Sequence, residues 1–364
     1  MKRVIVTVSN DLISDNRVHK VCSSLHNSNY SVLLVGRRKF FEKRRLDRPY
    51  ATHRMALLFR KSFLFYAELN IRMLLLLLFR KADILLSNDL DTLPANGIIS
   101  KWKSCFLVYD SHELFTEVPE LVGRLKVKAI WEKLENKFIK RANISFTVSS
   151  SIAKYYMEKY KIVMHVVRNL PLRIDMTNKD DVNNQNIIVY QGALNINRGI
   201  EHMIYAMQYI ENAVLHIYGR GDIEKDLQKL AKRLQLTDKV KFLGRVPLEL
   251  LQENTRGARL GISLEEDYGL NYRYALPNKL FDYIQNRIPV LISDLPEMRS
   301  IVKQYNIGLI AESHDAQYLA RMVNSFLSGE ICIENIENNL NDAASELNWD
   351  LEEKVLLELF SRLD

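Results

Sequence analysis

Short runs of aliphatic and β-branched residues alternate with amphipathic segments of helical length along almost the whole chain, and this alternation restricts the fold more than any other feature. In the first half Val4–Val8, Val32–Val35, Ile84–Leu86, Phe106–Tyr109, Ile144–Val148 and His165–Val167 read as strands. In the second, Ile187–Tyr190, Val214–Tyr218, Val240–Leu243, Leu260–Ser263, Val290–Ile292 and Gly308–Ile310 do the same. Uniformly apolar runs suit strands buried on both faces, and helices of about 10–15 residues between them make βαβ units around a parallel sheet. The expectation is an α/β chain of two Rossmann-like, doubly wound domains facing a cleft. The length of 364 residues agrees, at about 150 residues per domain. The boundaries are placed at 1–170 and 187–345. A linker at 171–186 carries the polar run DMTNKDDVNNQN, and a terminal helix at 346–364 returns to the N-terminal domain.

Several classes drop out early. With 47% hydrophobic and 26% charged residues the chain is ordinary globular protein. Three scattered cysteines make neither a disulfide framework nor a CxxC metal site, which fits a reducing compartment. The start MKRVIVTVSN meets Asp11 before any long apolar run, so no signal peptide is expected. The apolar stretch Ser62–Phe79 is interrupted by Glu68, Asn70 and Arg72, against the ~20 apolar residues of a membrane span, so a membrane-adherent element is expected rather than a crossing one.

Charge is lopsided. Residues 1–170 carry +15 and the remainder −8, within a total of +7. Arg37–Lys61 holds ten basic and two acidic residues, with Phe40, Phe41, Leu57, Leu58, Phe59, Phe63, Phe65 and Tyr66 in and just after it. Basic and aromatic residues leading into an apolar helix suit the interface of an anionic bilayer, with Arg37, Arg38, Lys43, Arg44, Arg45 and Phe59 as contacts. A solvated basic loop beside a buried helix explains the same pattern. Nucleic acid is not favoured, because no recognition motif is present.

In doubly wound sheets ligands sit beyond the carboxyl ends of the strands. No GxGxxG follows the first strand, and no GxxxxGK[ST], HExxH or GxSxG occurs, so dinucleotide, P-loop, zincin and serine-hydrolase readings fail. Asp15 and Arg17 open the first helix, where a solvated helix start is the plain alternative. Asp110, His112 and Glu113 follow a buried strand, where a histidine can meet a substrate hydroxyl or phosphate. Asp89 and Asp91 hold the equivalent place after another strand, and capping explains Asp89 equally well. In the second half Gly192 ends a strand and permits close backbone approach, while Arg198 and Gly199 open a helix. Pro277 fits the first turn of a helix bearing Asn278, Lys279 and Asp282. Lys279 and Arg198 suit a diphosphate and Asp282 a ribose, although an ordinary Lys–Asp surface pair gives the same spacing.

The runs SNDLISDNRVHKV, NDLDTLP, YDSHEL, TVSSSIAKYY, RNLP, YQGALNINRGI, IYGRGD, VKFLGRVP and LPNKLFDYIQNRIPVLIS, in that order, resemble the GT-B glycosyltransferases, specifically the retaining, nucleotide-sugar-dependent family 4 group. The resemblance implies that Arg198 and Lys279 bind the donor diphosphate, that Asp282 is the second acid of an E-x7-E pattern and binds the ribose, and that His112 lies near the donor sugar. Gly192, Gly199, Tyr274, Asn278 and Arg245, the last beside the nucleotide base, complete the donor side. His112 and Asp15 are the catalytic candidates; Asp89 and Glu113 line the acceptor side. The first acid of the pattern falls at Tyr274, a departure that leaves the transferred sugar open. The implied reaction is retaining transfer from a nucleoside-diphosphate sugar, UDP or GDP, without cofactor or metal. The acceptor is a hydroxyl of a glycan or lipid-linked molecule in cell-envelope synthesis, at the inner face of the cytoplasmic membrane. A catalytically silent GT-B scaffold is the alternative, and a GT-B epimerase ranks below both.

Overall fold

The apolar runs of the first half assemble into one sheet because almost every residue in them is buried from both sides. The strands are β1 (Arg3–Asp11), β2 (Ser31–Arg38), β3 (Ala51–Ala56), β4 (Ile84–Asn88), β5 (Phe106–Ser111), β6 (Ile144–Thr147) and β7 (His165–Val166). All pair in parallel, in the order β3-β2-β1-β4-β5-β6-β7. The computed structural model describes every residue except 14, 39–45, 122, 176–185 and 364. The chain divides into a first unit, Met1–Asn169 with Glu352–Asp364, and a second, Leu170–Leu351. Of the linker placed at 171–186, residues 176–185 lie outside the described residues, as do Lys43, Arg44 and Arg45.

In the first unit the helices are α1 (Asn16–Asn27), α2 (Ser62–Phe79), α3 (Leu93–Lys103), α4 (Leu125–Ile139) and α5 (Ser150–Tyr160). Asp15 caps α1 by accepting from the Val18 N–H at 3.1 Å. The terminal residues join this unit through Lys2 Nζ on the Leu363 carbonyl, Ser24 Oγ on Glu353, and the edge-to-face rings of Tyr30 and Phe360.

Helix α2 bears on the expected membrane-adherent element. By length and composition it is apolar enough to cross a membrane. Yet Phe65, Leu69, Met73 and Leu77, spaced by four, bury one face in the unit, each contributing about 2 kcal/mol. Glu68, Asn70 and Arg72, which interrupt its apolar run, are all hydrogen-bonded. Glu68 accepts from the Leu58 and Phe59 N–H groups and from Arg72. Asn70 donates to the Asp91 carbonyl at 2.8 Å and accepts from the Ala95 N–H at 3.1 Å, so it satisfies an end of α3 that Thr92 leaves uncapped. Part of the basic segment before α2 is strand: Ala51–Ala56 extends the sheet as β3, hidden from pattern reading by His53 and Arg54.

The second unit repeats the plan with β8 (Asn186–Gln191), β9 (Ala213–Tyr218), β10 (Val240–Gly244), β11 (Leu260–Ser263), β12 (Val290–Ser293) and β13 (Gly308–Ala311), all parallel, in the order β10-β9-β8-β11-β12-β13. Its helices are α6 (Ile200–Ala206), α7 (Glu224–Arg233), α8 (Leu248–Thr255), α9 (Leu270–Arg273), α10 (Asn278–Gln285), α11 (Pro296–Tyr305), α12 (Ala316–Leu327) and α13 (Ile336–Glu346); α14 (Trp349–Ser361) then runs on into the first unit's terminal residues. One apolar cluster joins α6 and α12 to one sheet face, and another joins α10, α11 and α13 to the opposite face. Pro277 is the N-cap of α10, one position before the turn expected for it.

Each sheet therefore reverses its winding once, between β1 and β4 in the first unit and between β8 and β11 in the second. The crevice beyond the carboxyl ends of such a strand pair is where doubly wound sheets bind ligands.

Candidate functional site

The residues singled out from the sequence fall into two constellations, one at each reversal. In the second unit Gly192 follows β8 and Glu265 lies two residues past β11. Glu265 is fully buried and ionised. Burial acts to raise its pKa, but Lys279 outweighs this, helped by Ser263 and Arg198, and holds it below the ordinary glutamate value. Lys279 Nζ donates to Glu265 Oε1 at 2.7 Å, Ser263 Oγ donates to Oε2 at 2.6 Å, and Arg198 Nη1 stands 3.7 Å from Oε1. Lys279 is 7% exposed, with its ammonium over the Tyr190 ring at 4.2 Å. It is thus no surface partner of Asp282. Asp282 accepts instead from Gln191 Nε2 at 2.7 Å, which ties α10 to the end of β8.

Two glycines bring these groups together. Gly192 has φ +138°, and a Cβ there would lie 3.5 Å from Lys279 Cε and 3.8 Å from Nζ. Gly199 has φ +70°, and its Cβ would meet the Leu264 carbonyl oxygen at 1.9 Å. Gly199 therefore lets α6 start against the end of β11, beside Glu265, and its role is close packing. Arg198 stacks on Tyr272 at 5.5 Å, and its buried Nε has no hydrogen-bond partner among the described residues. Two cations flanking a single carboxylate leave a net positive cluster. Asn278 opens α10 and Tyr274 closes α9. Arg245 is exposed on the loop after β10, two strands from β8 in the sheet.

In the first unit Arg17 is buried, not solvated. Its guanidinium forks onto Asp110, Nε to Oδ2 at 3.1 Å and Nη2 to Oδ1 at 2.8 Å. Asp110 also meets His112 Nε2 at 3.0 Å, while His112 Nδ1 stands 3.3 Å from Asp89 and the His112 N–H donates to Asp89 Oδ1 at 2.8 Å. Asp89 reaches both from an unusual backbone, φ +58°. Burial works against a charged imidazole, but Asp89 and Asp110 prevail and hold its pKa up at about 9. His112 is therefore an imidazolium at neutral pH with both ring nitrogens engaged, a fixed positive charge and not a general base. For Asp110, burial is outweighed by Arg17 and then His112, and its pKa lies below the ordinary value. Asp89 and Asp91 are each pushed up by burial to about 6.

A cavity of about 880 Å³ lies at this reversal, lined by Ser9 and Asn10 from the end of β1, by Asp89, Asp91 and Glu113, and by apolar residues of α2 and α4. Asp15 does not line it. Its carboxylate caps α1 and accepts from Asn10. Of the membrane-contact candidates, Arg38 and Phe59 are exposed, whereas Arg37 is half-buried with its guanidinium on the Phe65 ring at 5.2 Å. Among the described residues no group of three or more His, Cys, Asp or Glu is arranged to hold a metal ion.

Sequence reasoning missed Glu265 and Gln191. The signal was available, since both sit at strand ends on either side of the reversal, whereas the family pattern has its acid at Tyr274.

With this geometry in view, comparison with known proteins gives a consistent picture. Residues 174–346 match the family model for glycosyl transferases, group 1. An uncharacterized glycosyltransferase of Methanocaldococcus jannaschii is 25% identical over 208 residues, 53% of this chain and 51% of the relative. A chitobiosyldiphosphodolichol beta-mannosyltransferase of Candida albicans is 22% identical over 315 residues, 74% of this chain and 66% of the relative. The chain thus spans between half and two thirds of the curated relatives it matches. Among solved structures, sucrose-phosphate synthase from Thermosynechococcus elongatus superposes with a TM-score of 0.82 at 15% identity, covering 100% of this chain and 99% of that one. The Anabaena protein HepE, in complex with UDP-glucose, gives 0.76 at 14% identity, covering 100% of both chains. The two parallel α/β units and these superpositions define the class: the chain has the GT-B fold, and its second unit carries the match to the group 1 glycosyl transferases.

Proposed function

We propose that the chain transfers a glycosyl group from a nucleoside-diphosphate sugar held by the second unit to a hydroxyl of an acceptor held by the first. The observation that carries this reading is the Arg198–Glu265–Lys279 cluster at the β8/β11 reversal: two cations, one with a buried unpaired N–H, arranged around one carboxylate. Arg198 and Lys279 neutralise the leaving diphosphate as the glycosidic bond breaks, which is where such a site acts most strongly. Glu265 fixes the Lys279 ammonium and balances its buried charge. Asp282, oriented by Gln191, accepts from the ribose hydroxyls. The Anabaena structure with UDP-glucose supports a uridine donor, and GDP remains the alternative base.

Transfer proceeds with retention and without a metal. The bond from the anomeric carbon to the phosphate oxygen breaks, a bond to the acceptor oxygen forms on the same face, and the acceptor proton passes to the departing phosphate. His112, fixed as a cation, adds positive charge and moves no proton. The acceptor belongs to cell-envelope glycan or glycolipid synthesis, in line with the Candida relative, which is named for a dolichol-linked substrate. The protein works at the inner face of the cytoplasmic membrane. Supporting this, the outer face of α2 presents Phe63 (77% exposed), Leu64, Ile71, Leu75 and Phe79 (81% exposed), with Arg60, Lys61, Arg80 and Lys81 at its ends.

The test is incubation of the purified chain with UDP- and GDP-sugars and a lipid-linked glycan acceptor, following nucleoside diphosphate release and the anomeric configuration of the product by NMR. Release that depends on acceptor, with retained configuration, supports the proposal. An inverted product removes the same-face step, and no release with either donor class removes the proposal as a whole.

A further inference from the structure

The first-unit cavity has two chemically distinct sides. Its polar side is built from strand ends and carries Asp91, 4% exposed, whose Oδ1 is buried without a hydrogen-bond partner among the described residues. Asp89, beside it, is already matched by His112. The opposite side is a rigid aromatic wall: Tyr66 and Trp131 rings stand 5.0 Å apart, Phe115 and Trp131 4.9 Å apart, and all three meet edge to face. The outer lip is formed by Phe63, Val127 and Ile130, all exposed, and Phe63 belongs to the same apolar face of α2 described above.

From this we infer that the cavity takes an amphiphilic acceptor, with an uncharged hydroxylated head donating to Asp91 Oδ1 and an apolar chain lying against the Tyr66–Phe115–Trp131 wall. The inference rests on the reading of the first unit as the acceptor half and specifies the class of acceptor. A buried carboxylate oxygen is satisfied by a hydroxyl donor, whereas a phosphate at that position would face Asp89, Asp91 and Glu113 together. The aromatic wall removes a hydrocarbon chain from water. Continuity of the lip with the exposed face of α2 lets such a chain enter from an apolar phase without crossing water.

The experiment is isothermal titration of the full chain, without nucleotide, with octyl and decyl glucoside below their micelle-forming concentrations, with glucose, and with octylamine. At about fourfold in affinity per buried methylene, decyl glucoside is expected to bind about fifteenfold tighter than octyl glucoside, with glucose weaker than either. Asp91→Asn is expected to weaken both glucosides by about tenfold or more while keeping the chain-length ratio. Ile130→Asp, a change at an exposed position, is expected to lower the ratio itself. Equal affinity for the two chain lengths, unchanged binding by Asp91→Asn, or tighter binding of octylamine than of octyl glucoside would overturn the inference. The same preparations are titrated with UDP and GDP. Nucleotide binding without glucoside binding sinks this inference and leaves the donor reading intact; glucoside binding without nucleotide binding does the reverse.

Discussion

Replacing Asp91 by asparagine isolates the electrostatic cost of keeping a carboxylate in the first-unit cavity. Burial moves this group from an ordinary 3.8 to about 6, with Ser9 opposing the shift and Glu113 adding to it. At 1.36 kcal/mol per pKa unit, the displacement corresponds to about 3 kcal/mol of stability forgone at neutral pH. The sign follows from proton counting. Between pH 3.8 and 6 the folded chain holds a proton that the unfolded chain releases, so stability falls as pH rises through this window and stays reduced above it. Asparagine carries no charge and keeps nearly the same shape. The variant is therefore expected to be more stable than the parent by up to about 3 kcal/mol at pH 7, with the advantage vanishing near pH 4. Urea denaturation of both proteins at pH 4, 5, 6 and 7, followed by tryptophan fluorescence, measures the difference directly. A difference independent of pH, or a variant less stable at pH 7, would refute the claim that Asp91 is held charged against its surroundings. A residue that costs stability while lining a cavity is the pattern expected of a functional group.

Other expectations follow from the same geometry. His112 has a raised pKa, about 9 against 6.5, so its contribution of about 3 kcal/mol is complete below pH 6.5 and is lost as pH climbs through 9; the stability gap between parent and His112→Gln should close over that range in denaturant titrations. Lys279→Met strands the buried Glu265 carboxylate and should destabilise the second unit by about 3–5 kcal/mol, part of which Glu265→Gln recovers in the double variant. Gly192→Ala demands φ +138° of a residue with a Cβ, beside the Lys279 side chain at ordinary contact distance. A stability loss of about 1–3 kcal/mol with weakened nucleotide binding is expected by calorimetry. Phe63→Glu with Phe79→Glu should abolish co-flotation with anionic vesicles, and unchanged flotation would refute the membrane role assigned to α2.

The architecture was legible in the sequence because parallel strands buried on both faces leave uniform apolar runs, and twelve of these are close to strands in the structure. β3 was not, since an edge strand with His53 and Arg54 on it carries no such run. The apolar excess of α2 was visible, but that only one face is buried depends on partners distant in sequence. At the sites, position was legible and pairing was not. Asp110 and His112 stand out as polar residues directly after a buried strand, yet the protonated state of His112 follows from Asp89, 23 residues away, and the burial of Arg17 follows from Asp110, 93 residues away. Lys279 gave the signature of a surface pair with Asp282 because helical spacing alone cannot show that Glu265 approaches from another strand.

The central claim is that the second unit binds the diphosphate of a sugar nucleotide through Arg198 and Lys279 and its ribose through Asp282. The most direct test is a thermal-shift and calorimetric panel of UDP-, GDP-, ADP- and dTDP-sugars on the parent, Lys279→Ala and Asp282→Ala. The account predicts saturable stabilisation by one nucleotide class, strongly weakened in both variants and independent of the sugar for the parent diphosphate. Stabilisation that persists in both variants, or none with any nucleotide, would contradict it.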